Sequence, residues 1–549
     1  MTISPLSKFS RLGVALSAGA IAHSVIAAGE QGTCGAAPNI IVILADDMGY
    51  GDLGSNNAAS RIPTPHMDAM ADRGVRFTDA HTSSSVCTPT RYSLLTGRYN
   101  WRTRLKSGVL DGFSPPLIEA TRPTIASFLK QAGYDTACIG KWHLGMQWTR
   151  KDGSPEDKDR DEGRAGFRSG ENIDFSREVT GGPNAVGFDY FFGISASLDM
   201  PPYCWIEDGR VTDFPTQLIG EERKALFMTH TAGVIAKGFK PEDVLPRLTQ
   251  KTVEWIGRHL TEKSDTPFFL YLPLNSPHLP VVPSAEFIGK SGVGLYGDFV
   301  METDATIGAI MDVLRSNGAL DNTLVIVTSD NGGLWHEWVP READDVAHYK
   351  PTPRAEYNQQ HGHHSNGELR GTKADIWEGG HRVPFLVQWP VKVARGVANA
   401  PIEVTDLFAT ISDFIGVPLP VEAAPDSFSF RDVLMNPGLA ASSRPFLVHH
   451  SIRGVFSLRE GPWKYVPSRG SGGFTAPAMI SPDSGEATGQ LYNLAMDLSE
   501  TENLFQKEPA KVAHFEALLA KVQHSEALRI EILAVDQVAV NKCRNPNTR

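Results

Sequence analysis

Residues Ile40 to Leu44 read IIVIL, five consecutive apolar residues of which four are β-branched. A run this short and this apolar, without polar alternation, suits a strand buried on both faces of a parallel sheet. Similar runs recur at Thr136–Ile139, Phe268–Leu272 and Leu324–Val327, with a shorter one at Phe385–Val387. Amphipathic stretches lie between them. Met67–Asp72 is followed by Gly74 and Thr124–Gln131 by Gly133, both glycines placed as helix C-caps are. The alternation predicts an α/β fold, a large doubly wound mixed sheet flanked by helices. At 549 residues the chain has room for one large domain and a smaller one. We expect the first over residues 38–440. From about Pro445 the pattern changes: FLVHH, VFSLRE and WKYV read as short antiparallel strands, and Ala510–Val522 reads as a helix. These predict a smaller α+β subdomain over residues 441–549.

Lys8 and Arg11 precede an apolar run from Val14 to Ala28. That order predicts a secretory signal peptide over residues 1–28, hence a periplasmic or secreted protein with no membrane attachment once the signal is removed. No later segment is long and apolar enough to span a bilayer. The formal net charge of -11 argues against a nucleic-acid partner, though not against an anionic substrate in a locally positive pocket. Five cysteines, Cys34, Cys87, Cys138, Cys204 and Cys543, leave at least one unpaired in an oxidising compartment. Cys87 is the candidate for that role. The other four allow two disulfides in three ways or none, and Cys138 lies in a predicted core strand, as a free thiol would. Two polar stretches, Arg150–Gly182 and Trp335–Gly367, read as excursions, the second as a pocket wall.

Ligands of open α/β sheets bind at the carboxyl ends of the strands. Asp46 and Asp47 follow the first run, Lys141 and His143 the second, His278 the third, and Asp330 and Asn331 the fourth. Each alone has a structural explanation, since Asp-Asn-Gly is a good turn and a lone histidine is more often structural. Four strands delivering such groups at one end point to a site. Asp46, Asp47, Asp330 and Asn331 are oxygen donors, which suit calcium or magnesium better than zinc. Lys141, His143, Lys373 and Arg91 would surround the ion with positive charge and favour a multiply charged oxyanion.

Cys87 opens the sequence CTPTRYSLLTG. Thr88 as N-cap, Pro89 at the first helical position and Gly97 as C-cap predict a helix with Cys87 just ahead of it and Arg91 facing back. A thiolate nucleophile is chemically possible at a helix N-terminus. Soft sulfur beside a hard cation is a poor match.

CTPTR, together with ILADDMGYGDLG, GKWHLG, SPHLP, TSDNGG and EGGHRVP in order, resembles the type I sulfatases of the alkaline phosphatase superfamily. The resemblance runs through nearly the whole chain after the leader and includes LYNLAMDLSETENL near its end. It implies a sulfuric ester hydrolase in which a maturation enzyme oxidises Cys87 to formylglycine. It further implies that Asp46, Asp47, Asp330 and Asn331 hold one calcium ion. Arg91 and His143 would hold the aldehyde hydrate, Lys141 and Lys373 would bind sulfate oxygens, and His278 would protonate the leaving oxygen. Ser197, in GISAS, falls where such enzymes often have a sulfate-contacting serine. SLDMPPYCWIEDGR and HGHHSNGELRGTKADIW resemble sulfatases acting on galactose- or N-acetylgalactosamine-type sulfates, so Asp199, His363, His364 and Trp377 are candidate sugar contacts. Small aryl sulfates are an alternative substrate. A phosphodiesterase or phosphonate hydrolase of the same superfamily is another reading. His361, His363 and His364 offer some ligands to a two-zinc relative, but Asn331 fits a single hard ion better. A non-catalytic carbohydrate binder would lack the nucleophile or a ligand, and neither is missing here.

Overall fold

A computed structural model describes residues 37–155, 168–224, 228–334, 357, 360–529 and 531–532. The expected signal peptide, Cys34, Cys543 and most of the Trp335–Gly367 stretch lie outside the described residues. From Pro38 onward the chain forms one compact unit.

The apolar runs become the centre of a ten-stranded sheet. Its strands are β1 (Asn39–Ala45), β2 (Val75–Phe77), β3 (Asp135–Lys141), β4 (Tyr190–Ile194), β5 (Ile206–Glu207), β6 (Arg210–Val211), β7 (Phe268–Pro273), β8 (Thr323–Ser329), β9 (Phe385–Gln388) and β10 (Gly396–Ala398). Their order is β10-β2-β9-β8-β1-β7-β3-β4-β5-β6. β8, β1, β7, β3 and β4 run parallel, while β9 is antiparallel to both β8 and β2. Every residue of β1, β7 and β8 is buried, as double-faced burial requires. Register is fixed on both sides of β1, with Leu44 opposite Pro273 on one neighbour and Thr328 on the other. The carboxyl ends of β1, β7 and β8 are therefore level.

The helices that concern the site and its support are α1 (Pro65–Arg73), α2 (Cys87–Thr96), α3 (Ile125–Gln131), α4 (Val244–Glu262) and α5 (Gly294–Ser316). α4 buries Val244, Leu245, Leu248, Thr252, Trp255, Ile256 and His259, a helical stripe against the core. α1 takes its N-terminal cap from α5: the Asp304 carboxylate accepts from His66 N at 3.1 Å and Met67 N at 2.7 Å. Gly74 is not the left-handed cap that its position suggests. Its φ is -132°, and a Cβ there would stand 2.1 Å from the Val387 carbonyl oxygen, so close packing on β9 is what it serves.

Thr88 does not cap α2. Cys87 is the first residue of the helix, and the Thr88 hydroxyl instead donates to the His143 carbonyl at 3.0 Å. Gly97 is the left-handed C-cap, at φ +60°. Cys87, Cys138 and Cys204 are buried free thiols, which removes every arrangement with two disulfides.

Among the later described residues lies a four-stranded antiparallel sheet, β11 (Leu447–His450), β12 (Phe456–Glu460), β13 (Trp463–Val466) and β14 (Gln490–Asn493), covered by α6 (Pro509–His524). Val448, Leu458, Tyr465 and Leu491 pack with Val512, Phe515, Leu519 and Val522 in a core of their own. This sheet also reaches the segment ahead of α2. His450 N donates to Ser83 O and Ser85 N to His450 O, both at 3.1 Å, while Ala374 N donates to Ser85 O at 2.8 Å. Deeper still, Lys464 joins Glu378 at 3.0 Å and Glu500 at 2.9 Å, and Arg459 joins Asp79 at 2.6 Å.

His81, His381 and His449 stack among these charges, and all three are fully buried. Burial holds the His449 pKa well below its usual value, with His81 and Lys464 adding to the effect. Once unfolded, the ring titrates near its ordinary value of about 6.5. The unfolded state then binds the extra proton, so the stability His449 contributes is full above that pH and is lost as pH falls below it. The Tm advantage of the wild-type protein over a His449→Gln variant is therefore expected to shrink between pH 7.5 and pH 5. A difference that does not change with pH would contradict this.

Candidate active site

Four elements converge at the carboxyl end of the sheet. β1 leads to Asp46 and Asp47 and β8 to Asp330 and Asn331, β3 ends in Lys141, and β7 leads to His278. Carboxylate oxygens of Asp46, Asp47 and Asp330 lie within 4.8 Å of one another, all buried. A second trio meets the same limit: a carboxylate oxygen of Asp46, the Cys87 sulfur and a ring nitrogen of His278.

Three buried cations answer the carboxylates. Lys141 Nζ is 2.5 Å from Asp46 Oδ2. Arg91 places Nη2 at 2.7 Å and Nε at 3.0 Å from Asp330 Oδ2, and Nη2 at 3.5 Å from Asp46 Oδ2. Lys373 Nζ lies 2.7 Å from Asp47 Oδ1 and 2.9 Å from Oδ2. His278 Nε2 is 3.7 Å from Asp47 Oδ2. The Asn331 amide donates to Asp47 Oδ1 at 2.8 Å.

These contacts divide the titratable groups. Burial alone would raise Asp46, but Lys141, His278, Arg91 and Lys373 hold it well below the usual carboxylate range. Asp330 is pushed up to about 6 by burial and by Asp46, against the pull of Arg91. Burial and Lys373 would lower His278, yet Asp47 and Asp46 carry it up to about 9. His143 goes the other way, lowered by burial and then by Lys141 and Arg91. The two histidines are thus pushed in opposite directions.

The backbone is held in uncommon conformations here. Asp47, His143 and Ala374 have φ of 67°, 56° and 78°. Such left-handed residues cost on the order of 1–3 kcal/mol each and persist where the surroundings dictate them. The Gly-Gly pairs of TSDNGG and EGGHRVP explain each other. A Cβ on Gly332 would stand 1.8 Å from the Gly379 carbonyl oxygen, and Gly332 N donates to Gly380 O at 2.9 Å.

His143 makes its side-chain bond outside the cluster. Its Nε2 donates to the Leu110 carbonyl at 2.8 Å, and its buried Nδ1 has no partner. Ser197 Oγ and Asp199 Oδ1 are likewise buried and unpartnered, in the segment after Ser195, whose carbonyl accepts from His143 N at 2.9 Å. His364 is exposed. His363 and Trp377 are not brought to the group. His363 is buried with Nε2 2.8 Å from Asp52 Oδ1. Trp377 is buried beneath the Arg370 guanidinium, 3.8 Å from its ring centroid, and donates from Nε1 to Gln490 at 2.9 Å.

Some supporting residues left little trace in the sequence. Asn366 binds Gly333 N through Oδ1 at 2.8 Å and donates from Nδ2 to the Gly333 and Gly371 carbonyls, both at 3.1 Å. The Thr372 hydroxyl donates to Gly333 O at 2.7 Å. Both fix the loop that delivers Lys373. The only hint was their place within SNGELRGTK.

Comparison with known proteins agrees with this geometry. The Sulfatase family model matches residues 38–417. The chain is 34% identical to an N-acetylgalactosamine-6-O-sulfatase of Bacteroides thetaiotaomicron, over 88% of this chain and 93% of that one. It is 31% identical to human arylsulfatase A, over 85% and 83%. A solved structure described under the metabolism of multiple glycosaminoglycans by Bacteroides thetaiotaomicron superposes with a TM-score of 0.73 at 31% identity, covering 89% of this chain and all of that one. The chain belongs to the sulfatase family of the alkaline phosphatase superfamily.

Proposed function

We propose that the enzyme releases inorganic sulfate from a sulfated carbohydrate of galactose or N-acetylgalactosamine type, with Cys87 in the formylglycine form and one calcium ion. The observation that carries the reading is the meeting of Cys87, Asp46 and His278 within 4.8 Å, ringed by Arg91, Lys141 and Lys373. The substrate class is supported by the relative named an N-acetylgalactosamine-6-O-sulfatase. The relative named arylsulfatase A favours small aryl sulfates as a second reading.

The donor set fits a hard cation. Asp46 Oδ1 and Asn331 Oδ1 are buried acceptors without a hydrogen-bond partner, and every candidate ligand is an oxygen. Asp46, Asp47, Asp330 and Asn331 would hold calcium, which supplies polarisation of the sulfate oxygens. Formylglycine, made by a maturation enzyme, supplies a hydrated aldehyde with one oxygen to attack sulfur and a second to expel the product. Arg91 and His143 hold that hydrate. Lys141 and Lys373 neutralise charge growing on the sulfate oxygens. His278, protonated at neutral pH, gives its proton to the departing sugar oxygen. Ser197 contacts the sulfate, and Asp199 and His364 contact the sugar. An exported enzyme would meet such substrates outside the cytoplasm.

The test is sulfate release from N-acetylgalactosamine 6-sulfate by protein made with a formylglycine-generating enzyme, with mass spectrometry of the Cys87 peptide. Activity together with an aldehyde at Cys87 is expected. Active protein whose Cys87 is still a thiol would overturn the reading.

A proton donor matters most when the leaving group is poor. His278→Ala is expected to slow release from the sugar by about 10²–10⁴-fold. On 4-nitrophenyl sulfate, whose phenolate leaves without a proton, the loss should be far smaller. Equal losses on both would remove the acid role from His278.

A further inference from the structure

The link from β7 to His278 runs Leu274, Asn275, Ser276, Pro277. It leaves the sheet abruptly. Leu274 N donates to Leu44 O at 2.9 Å, as the parallel register requires. The next ladder bond would carry Asp46 N to Leu274 O. Asp46 N instead donates to Ser276 O at 2.9 Å. The chain is therefore bowed at Asn275, which continued register sets opposite Asp46. Ser276 turns toward α5, where its hydroxyl meets Thr303 Oγ1 at 2.7 Å.

Asn275 is only 2% exposed, as deep as Cys87. Among the described residues, neither its Oδ1 nor its Nδ2 has a hydrogen-bond partner. A carboxamide brings two donors and an acceptor, and burying both ends unmet is costly. The bow sets this unmet amide beside Asp46 and three residues before His278. It calls for a ligand group.

The chemistry of the amide narrows that group. A sulfate offers acceptors alone and would satisfy Nδ2 while leaving Oδ1 unmet. Lys141, Lys373 and Ser197 already serve the anion. A hydroxyl, or the N–H of an acetamide, can satisfy Oδ1, and its oxygen can accept from Nδ2. We infer that Asn275 is a specificity-determining residue: it reads a hydroxyl or acetamide group of the sugar beside the ester oxygen that His278 protonates. This rests on the sulfated-carbohydrate reading above.

The experiment uses matured full-length enzyme and the variants Asn275→Ala and Asn275→Leu. The second keeps the side-chain shape should the first fold poorly. Three probes are compared: N-acetylgalactosamine 6-sulfate, 4-nitrophenyl sulfate, and inorganic sulfate as a competitive inhibitor. The expected result is a fall in kcat/KM for the sugar of about tenfold or more in both variants, the size of one or two lost buried hydrogen bonds. Turnover of the aryl ester and inhibition by sulfate should stay within about twofold of wild type. Parallel losses on both esters with weaker sulfate inhibition would make Asn275 a sulfate contact and overturn the inference. Unchanged kinetics on both esters would make its amide structural and overturn it too. Wild-type protein unable to cleave the sugar at all would overturn the substrate reading along with it; wild-type activity on the sugar confines any failure to Asn275.

Discussion

Three carboxylates, Asp46, Asp47 and Asp330, meet in the interior of the protein. Desolvating them is costly, and the cost is offset only if each finds a well-placed cation. Lys141, Arg91 and Lys373 do this, and they come from β3, α2 and the loop before β9. Removing one cation would strand a buried charge, typically a loss of about 3–5 kcal/mol. Much of the architecture serves that convergence. The register of β1 with β7 and β8 levels the strand ends, and Gly332 against Gly379 lets two loops close around Asp330 and Asn331.

The small C-terminal sheet belongs to the same argument. It lies far along the chain from Cys87, yet the backbone of His450 is bonded to Ser83 and Ser85 on the approach to α2. Ala374, in its left-handed conformation, bonds to Ser85 and follows Lys373 directly. The positions of Cys87 and Lys373 are thus set by one backbone junction. The ion pairs of Lys464 and Arg459 anchor that junction from behind.

Much of this was legible in the sequence because burial on two faces leaves an unmistakable run of apolar residues. IIVIL and its counterparts marked the strands, and the residues just past each run marked the site. What was not legible depended on partners distant in the chain. Thr88 has the chemistry of an N-cap, but its hydroxyl is taken by His143. Gly74 sits where a C-cap would, but answers to Val387. His363 and Trp377 are bonded to Asp52 and Gln490, contacts with partners far along the chain. Asn275 carried no signal at all, since an unmet amide is visible only once its surroundings are known.

Asp46, Asp47, Asp330 and Asn331 are expected to form one oxygen-lined cation site. Calorimetric titration of calcium into chelator-treated, matured enzyme tests it most directly, with zinc as the comparison. One calcium per chain is expected, with zinc binding more weakly and Asp46→Asn abolishing the calcium signal. Two ions per chain, or zinc held in preference to calcium, would contradict the account.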